Sequence, residues 1–218
     1  MVKFAMPSNK KKKPSSMKIT KVAPAVKTPG RYNVYVDGKY SFSLDELQLI
    51  QSGIRSGQDI DEAQLAALQN ESSFGKNYIR AIDLISRRPR SEKEIRDYAF
   101  RKQWTPDNTE RVIKRLYDKS YLNDRNFAEM FVRSRTSIGK YSKKRIELDL
   151  RKKGIKTDII HQVLNAEISD NDALMRLIQK RINRYDDDNK LKAYLLRNGF
   201  GYDDINRALA EYRNQVND

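Results

Sequence analysis

The sequence contains no cysteine and a single histidine, His161. Disulfide scaffolds, thiol nucleophiles and zinc sites built on cysteine are thereby excluded, and a reducing cytoplasm is the compartment the composition fits. His161 falls among apolar helix positions with no second histidine near it, so it reads as a surface or boundary residue and not as a metal ligand. Apolar runs are short, well below the roughly 18 residues a membrane helix requires, and no bilayer-spanning segment is expected. Gly75-Lys76 lacks the upstream glycine of a phosphate-cradling loop, and no GxGxxG follows a strand, which argues against nucleotide chemistry. The acidic run Asp186-Asp187-Asp188 cannot converge on one cation without a loop that spaces the ligands and reads as a solvated connection. Nothing in this inventory supplies a nucleophile, a general base or a cofactor site, so no enzyme and no cofactor are expected.

What is abundant is positive charge. Among 218 residues, 44 Lys and Arg face 29 Asp and Glu, a net +15 with a sequence pI near 9.8. Such an excess points to an anionic partner: nucleic acid, an acidic protein surface or anionic lipid. The charge is segregated. Residues 170–218 are balanced, whereas Arg133 to Lys156 carries ten basic residues against only Glu147 and Asp149. The first 16 residues, with Lys3 and Lys10 to Lys13, lack the apolar core of a secretory leader. They read as a disordered basic tail, either an extension ahead of a start at Met17 or an added electrostatic grip on a polyanion.

Hydrophobic residues make up 38% and charged residues 33%, with a mean hydropathy of −0.83. Thin cores are expected. Residues 17–45 alternate with the period of strands: Arg31 to Val36 and Tyr40 to Leu44 form a hairpin across Asp37-Gly38, with Ile19 and Val22 in a third strand. Ser43-Leu44-Asp45-Glu46 offers a capping box for a helix to about Gln51. Ile60 to Gln69 makes a further short helical piece.

From residue 74 the pattern is helical and repeats. Ile95 precedes Trp104 by nine residues, as Ile146 precedes Ile155 and Leu191 precedes Phe200. Each pair follows an apolar helix (Ala81-Ile82, Phe127-Ala128, Ala173-Leu174) and precedes another (Val112 to Leu116, Ile159 to Leu164, Ile205 to Leu209). This predicts three tandem three-helix units, 74–122, 123–168 and 169–218, behind an N-terminal hairpin-and-helix segment at 17–73. The fold class is mainly α, with small units packing in series as a curved rod. Ser91 to Glu94 is a capping box, Thr105-Pro106 and Thr157 open third helices, and Gly154 and Gly199 supply left-handed helix ends. Lys102-Gln103-Trp104 lacks that glycine, so the first unit's turn is expected to differ. Trp104 and Phe200 read as core residues and not as platforms for bases.

The candidate contacts with a polyanion are the basic loops and helix ends of the first two units: Arg87, Arg88 and Arg90, Arg133 and Arg135, Lys140, then Lys143, Lys144 and Arg145, with Arg151 and Lys152 at the far end of the same helix. Three cations at a helix start oppose its dipole, which favours a role beyond folding. Ordinary solubilising surface is the competing explanation.

Three stretches carry a resemblance: Leu84-Ile85-Ser86-Arg87-Arg88-Pro89-Arg90-Ser91-Glu92-Lys93-Glu94-Ile95, Tyr121-Leu122-Asn123-Asp124-Arg125-Asn126-Phe127-Ala128, and Lys143-Lys144-Arg145-Ile146-Glu147-Leu148-Asp149-Leu150-Arg151-Lys152-Lys153-Gly154-Ile155. From about residue 77 the chain resembles the bacterial RecX regulatory family. The resemblance implies a non-enzymatic modulator of the RecA recombinase in DNA repair, homologous recombination and the SOS response. Such a protein binds the RecA–DNA filament groove and inhibits ATP hydrolysis and strand exchange. Direct contact with single- or double-stranded DNA would be weak and sequence-independent, and the protein a cytoplasmic monomer. The alternative is an autonomous DNA-binding protein of helix-turn-helix type.

Overall fold

The structure, a computed structural model, describes residues 16–138, 141–167 and 169–217. The expected basic tail therefore lies outside the described residues, apart from Ser16. Four strands, β1 (Met17–Pro24), β2 (Arg31–Val36), β3 (Lys39–Asp45) and β4 (Asp59–Ile60), form an antiparallel sheet in the order β3-β2-β1-β4. The β2–β3 turn has Asp37 at φ 48° and Gly38 at φ 78°, both positive as the twist of a two-residue hairpin requires. Ile19, Val34, Val36, Phe42 and Leu44 fill one face of the sheet together with Ile54 and Ile60. Burying a side chain of this size contributes about 1.5–3 kcal/mol.

Helix α1 (Glu46–Ser52) opens differently from expectation. Ser43 is buried within β3, and Asp45 is the cap: its carboxylate accepts from the Gln48 amide at 2.8 Å while the Gln48 side chain accepts from the Asp45 amide at 3.1 Å. The box therefore starts two residues later, because β3 continues through Asp45. A second correction concerns α2 (Glu62–Arg87), a single 26-residue helix. It merges the short piece expected at Ile60 to Gln69 with the first helix of the first repeat, and residues 73 and 74 lie inside it. Ile60 itself pairs with Met17 as strand. Two serines and a glycine in the middle of α2 do not break it, since Ser72 satisfies its hydroxyl by donating to the Ser43 carbonyl at 2.6 Å and no proline intervenes.

The remaining helices are α3 (Glu92–Arg101), α4 (Pro106–Asp118), α5 (Asp124–Ile138), α6 (Lys143–Lys152), α7 (Thr157–Glu167), α8 (Asp170–Arg181), α9 (Asp188–Arg197) and α10 (Tyr202–Asn217). The chain divides into two compact units, one comprising 1–81 with 105–112, the other 82–104 with 113–218. Within the second, α5–α7 enclose a core of Phe127, Ala128, Val132, Ile146, Leu150, Ile155, Ile160, Val163 and Leu164. Helices α8–α10 enclose the matching one, centred on Leu174, Ile178, Leu191, Leu195, Phe200 and Ile205. The anchors Ile95, Ile146 and Leu191 are all buried. Trp104 is only half-buried and meets Tyr98 edge-to-face at 5.7 Å.

The turn after the second helix is the same in all three repeats, contrary to the expectation for the first. Gln103, Gly154 and Gly199 have φ of 56°, 78° and 92°. The next residue, Trp104, Ile155 or Phe200, donates back to Ala99, Leu150 or Leu195 respectively at 3.0, 3.2 and 3.4 Å, the hydrogen bond of a left-handed helix end. Gln103 accepts the steric cost that the two glycines avoid. Thr105 caps α4, accepting from Asn108 at 3.3 Å. Thr157, by contrast, is the first residue of α7 and not its cap, because the position matching Thr105 is held by Lys156, whose carbonyl accepts from Ile160.

Candidate functional site

Successive repeats in the second unit are joined through the start of one helix and the end of another. Ser91 caps α3, accepting from the Glu94 amide at 3.2 Å, and its hydroxyl donates to the carbonyl of Lys153 at the end of α6, 2.8 Å away. The Glu92 amide donates to Asp124 of the next repeat at 2.8 Å. One repeat on, Ser142 caps α6, its own amide donates to the Asn198 carbonyl at 3.2 Å, and the Lys143 amide donates to Asp170 at 2.7 Å. The glycines make this approach possible. A Cβ on Gly154 would lie 2.6 Å from Lys93 Cβ, and one on Gly199 would lie 2.5 Å from Ser142 Oγ.

This joint brings the basic loop of the first repeat against the first helix of the second. Pro89 forces α2 to stop, and Arg88 then faces Glu94, its Nη1 and Nη2 reaching the two carboxylate oxygens at 2.9 and 3.2 Å. Lys153 shares the same carboxylate at 2.7 Å. Glu94 therefore does not complete the box expected with Ser91. Desolvation alone would raise its pKa, but the hydrogen bonds from Arg88 and Lys153 outweigh it and hold the carboxyl at about 2. Lys153 Nζ also lies 5.7 Å from the ring centres of both Phe127 and Phe131. Arg135 lies between two aromatic rings, 4.9 Å from Phe131 and 5.0 Å from Tyr141, a geometry that holds a guanidinium without an acid. Arg88, Pro89, Arg135 and Lys153 border an open cleft of about 380 Å³ floored by Phe127, Met130 and Phe131. Met130 is 46% exposed.

Of the candidates from the sequence, the structure places Arg88 and Arg135 in this cleft. Arg87 pairs with Asp83 at 2.8 Å on the solvent side of α2. Arg90 donates to the Leu84 carbonyl at 3.3 Å; burial first, then the neighbouring Arg88, lowers its pKa. Arg133 is exposed on α5. Lys140, with Gly139, lies outside the described residues. On α6, Ile146 and Leu150 are buried, while Lys144, Leu148 and Lys152 are exposed at a spacing of four and form one outward stripe. Lys143 is half-buried at the helix start. Arg145 lies 3.8 Å from Asp149 and Arg151 2.7 Å from Glu147, so these two are partly occupied. The same Glu147 lies 3.7 Å from the exposed His161.

Sequence reasoning missed Lys153 and the aromatic floor as members of the site. Lys153 is followed by the turn glycine and reads as helix punctuation, and Phe127 and Phe131 read as core. Among the described residues no cluster of His, Cys, Asp or Glu could hold a metal, and no helix is long and apolar enough to cross a membrane.

These features define a tandem three-helix-repeat protein with a cationic, aromatic-floored cleft beside the joint between repeats. Comparison with known proteins names the group. Residues 17–61, 78–116 and 123–164 match, in turn, the Regulatory protein RecX N-terminal domain, the first three-helix domain of RecX and the second. The Regulatory protein RecX of Bacillus velezensis is 33% identical over 207 residues, covering 90% of this chain and 78% of that protein. That of Listeria innocua is 35% identical over 154 residues, covering 71% of this chain and 57% of its relative, so the chain spans little more than half the length of the Listeria protein. A crystal structure of regulatory protein RecX superimposes with a TM-score of 0.71 at 27% identity, covering 89% of this chain and 99% of that one. The RecX structure from Lactobacillus salivarius gives 0.58 at 31% identity, covering 65% and 97%. The chain belongs to the RecX family of regulatory proteins.

Proposed function

We propose that this protein regulates a RecA-type recombinase by binding along the groove of the RecA–DNA filament, slowing ATP hydrolysis and strand exchange without itself catalysing a reaction. The observation that supports it most is the gathering of Arg88, Arg135 and Lys153, from two repeats, around one apolar-floored cleft, with Lys144 and Lys152 exposed on the adjoining helix. Arg135, held over aromatic rings, stays available to a partner, and Arg88 and Lys153 share the one carboxylate of Glu94, so the cluster keeps a net positive charge. A floor of Phe127, Met130 and Phe131 suits an apolar side chain, and the rim suits the carboxylates or phosphates around it. Regulation would follow from occupancy: a binder shifts the filament between states only by the difference of its affinities for them. Acting as a cytoplasmic monomer, it would touch bare DNA weakly and without sequence preference, through contacts that salt dissolves.

The test measures RecA ATPase and strand exchange with the protein added. Inhibition is expected, together with retention on RecA–single-stranded DNA exceeding that on DNA alone. No effect at saturating protein and low salt ends the proposal, and a sequence-selective footprint on free duplex would replace it with the helix-turn-helix alternative.

A further inference from the structure

The strand segment holds a buried positive charge that has no ion-pair partner among the described residues. Arg31 opens β2 and is only 6% exposed, on the sheet face opposite the buried Val34 and Val36. Its Nε donates to Ser43 Oγ at 3.0 Å and its Nη2 donates to the Ser43 carbonyl. Nη1 is buried with no partner among the described residues. Among the described residues no carboxylate comes within ion-pair distance of Arg31. Burial lowers its pKa, and the more distant carboxylate of Asp45 only opposes that effect. A buried guanidinium is ordinarily met by an anion.

Arg31 lines an open cleft of about 370 Å³ that also presents Lys76, Arg80, Asn33 and Tyr40 and is lined by no acidic side chain. Lys76 and Arg80 are one turn apart on α2, and neither pairs with a carboxylate among the described residues. Tyr40 is 53% exposed, with its ring held edge-to-face against Tyr35 at 6.0 Å.

We propose that this cleft is a phosphate-binding site that takes a backbone phosphodiester of single-stranded DNA. Arg31 contributes its positive charge from the wall of the cleft, Lys76 and Arg80 hold the phosphate at the mouth, and the Tyr40 ring supports the adjoining sugar or base. The exposed ring beside the cations favours a nucleic acid over an acidic peptide, because aromatic platforms flanked by cations suit strands whose bases are free to stack. This deepens the filament reading by giving the strand segment its own contact with DNA.

The experiment follows the Arg31 Nε–H resonance of the full-length, ¹⁵N-labelled protein. Inorganic phosphate is expected to shift it saturably, and an oligothymidine strand to shift it at much lower concentration. In the K76A/R80A variant, whose changes are at half-buried and exposed positions, the slope of log affinity for oligothymidine against log salt should fall by about 1.4, or ~0.7 per lost contact. The K114A/K119A variant, with equal charge removed elsewhere, should leave the slope unchanged. An Arg31 resonance unmoved by saturating oligothymidine overturns the site. So does an equal change of slope in the control variant, or a shift produced by an oligoglutamate peptide and not by DNA. A wild-type protein without effect on RecA would defeat the filament reading alone and leave the resonance shift standing.

Discussion

Gly199→Ala probes the joint between the second and third repeats at its narrowest point. The residue has φ +92°, and an added Cβ would lie 2.5 Å from Ser142 Oγ, 3.0 Å from Arg145 Cβ and 3.3 Å from the Arg145 amide. Two costs add. A left-handed conformation costs an L residue roughly 1–2 kcal/mol. The contact then displaces Ser142, which is 1% exposed and caps α6 by accepting from Arg145 at 3.2 Å, and losing such a cap costs about 0.5–2 kcal/mol. The expected destabilisation is about 1.5–4 kcal/mol. Gln103→Ala provides a matched comparison in the same unit, since Gln103 already carries a Cβ at φ 56°; it should change stability by less than about 0.5 kcal/mol. Urea unfolding followed by circular dichroism measures both. Hydrogen exchange should show the loss concentrated at the first turn of α6. If Gly199→Ala costs no more than about 1 kcal/mol, with unchanged exchange at Arg145, the glycine serves its own turn only and the joint described here is wrong.

Three further outcomes follow from the site. Because Glu94 titrates at about 2 in the folded protein against 4.5 as its reference value, it stabilises fully above pH 4.5, and that contribution is lost as pH falls from about 4.5 to 2; Glu94→Gln should flatten the acid limb of the stability curve by about 1–2 kcal/mol after allowance for screening, and an unchanged limb would deny the shared ion pair. Replacing Lys143, Lys144 and Arg145 together by Ala should weaken filament binding and leave the melting temperature unchanged or slightly raised, since the cations oppose the α6 dipole; undiminished retention on RecA–DNA would move the contact elsewhere. Asp170→Asn keeps an acceptor for the Lys143 amide but removes the charge, and should cost about 0.5–1 kcal/mol, less so when those three cations are already gone; additive losses in the double-mutant cycle would show that the carboxylate does not answer them.

Local patterns were readable where a single element decides them. The Arg31–Val36 alternation and the Asp37-Gly38 turn define the hairpin, and the nine-residue spacing of Ile95 and Trp104, Ile146 and Ile155, and Leu191 and Phe200 marks the three helix pairs, because burial on one helix face imposes that period. The two-residue strand β4 is too short to show a period. The continuity of α2 was hidden because Ser72, Ser73 and Gly75 look like breakers, and only Ser43 across the sheet explains why they are not. The site was legible as a set of charges and not as a geometry. Arg88 and Lys153 share Glu94 across 59 residues of chain, and Arg135 is held by rings on either side of the turn into α6. Arg31 looked like an ordinary strand residue, since nothing in an alternating pattern marks which polar face becomes covered.

The cationic start of α6 and the joint beneath it are linked. A helix usually answers the partial positive charge of its N-terminus with acids in its own first turn, as α3 does with Glu92 and Glu94. Helix α6 has none there. Its first amide is met instead by Asp170, which belongs to the following repeat, and the matching contact of α3 with Asp124 shows that every such joint supplies a carboxylate from outside the helix. Once the neighbour provides that charge, the first-turn side chains of the capped helix are released from it. In α3 they remain acidic and hold Arg88, Arg96 and Lys153; in α6 they become Lys143, Lys144 and Arg145. Docking the repeats in series is thus what lets one of them present three cations at a helix end where an isolated three-helix unit would be destabilised by them.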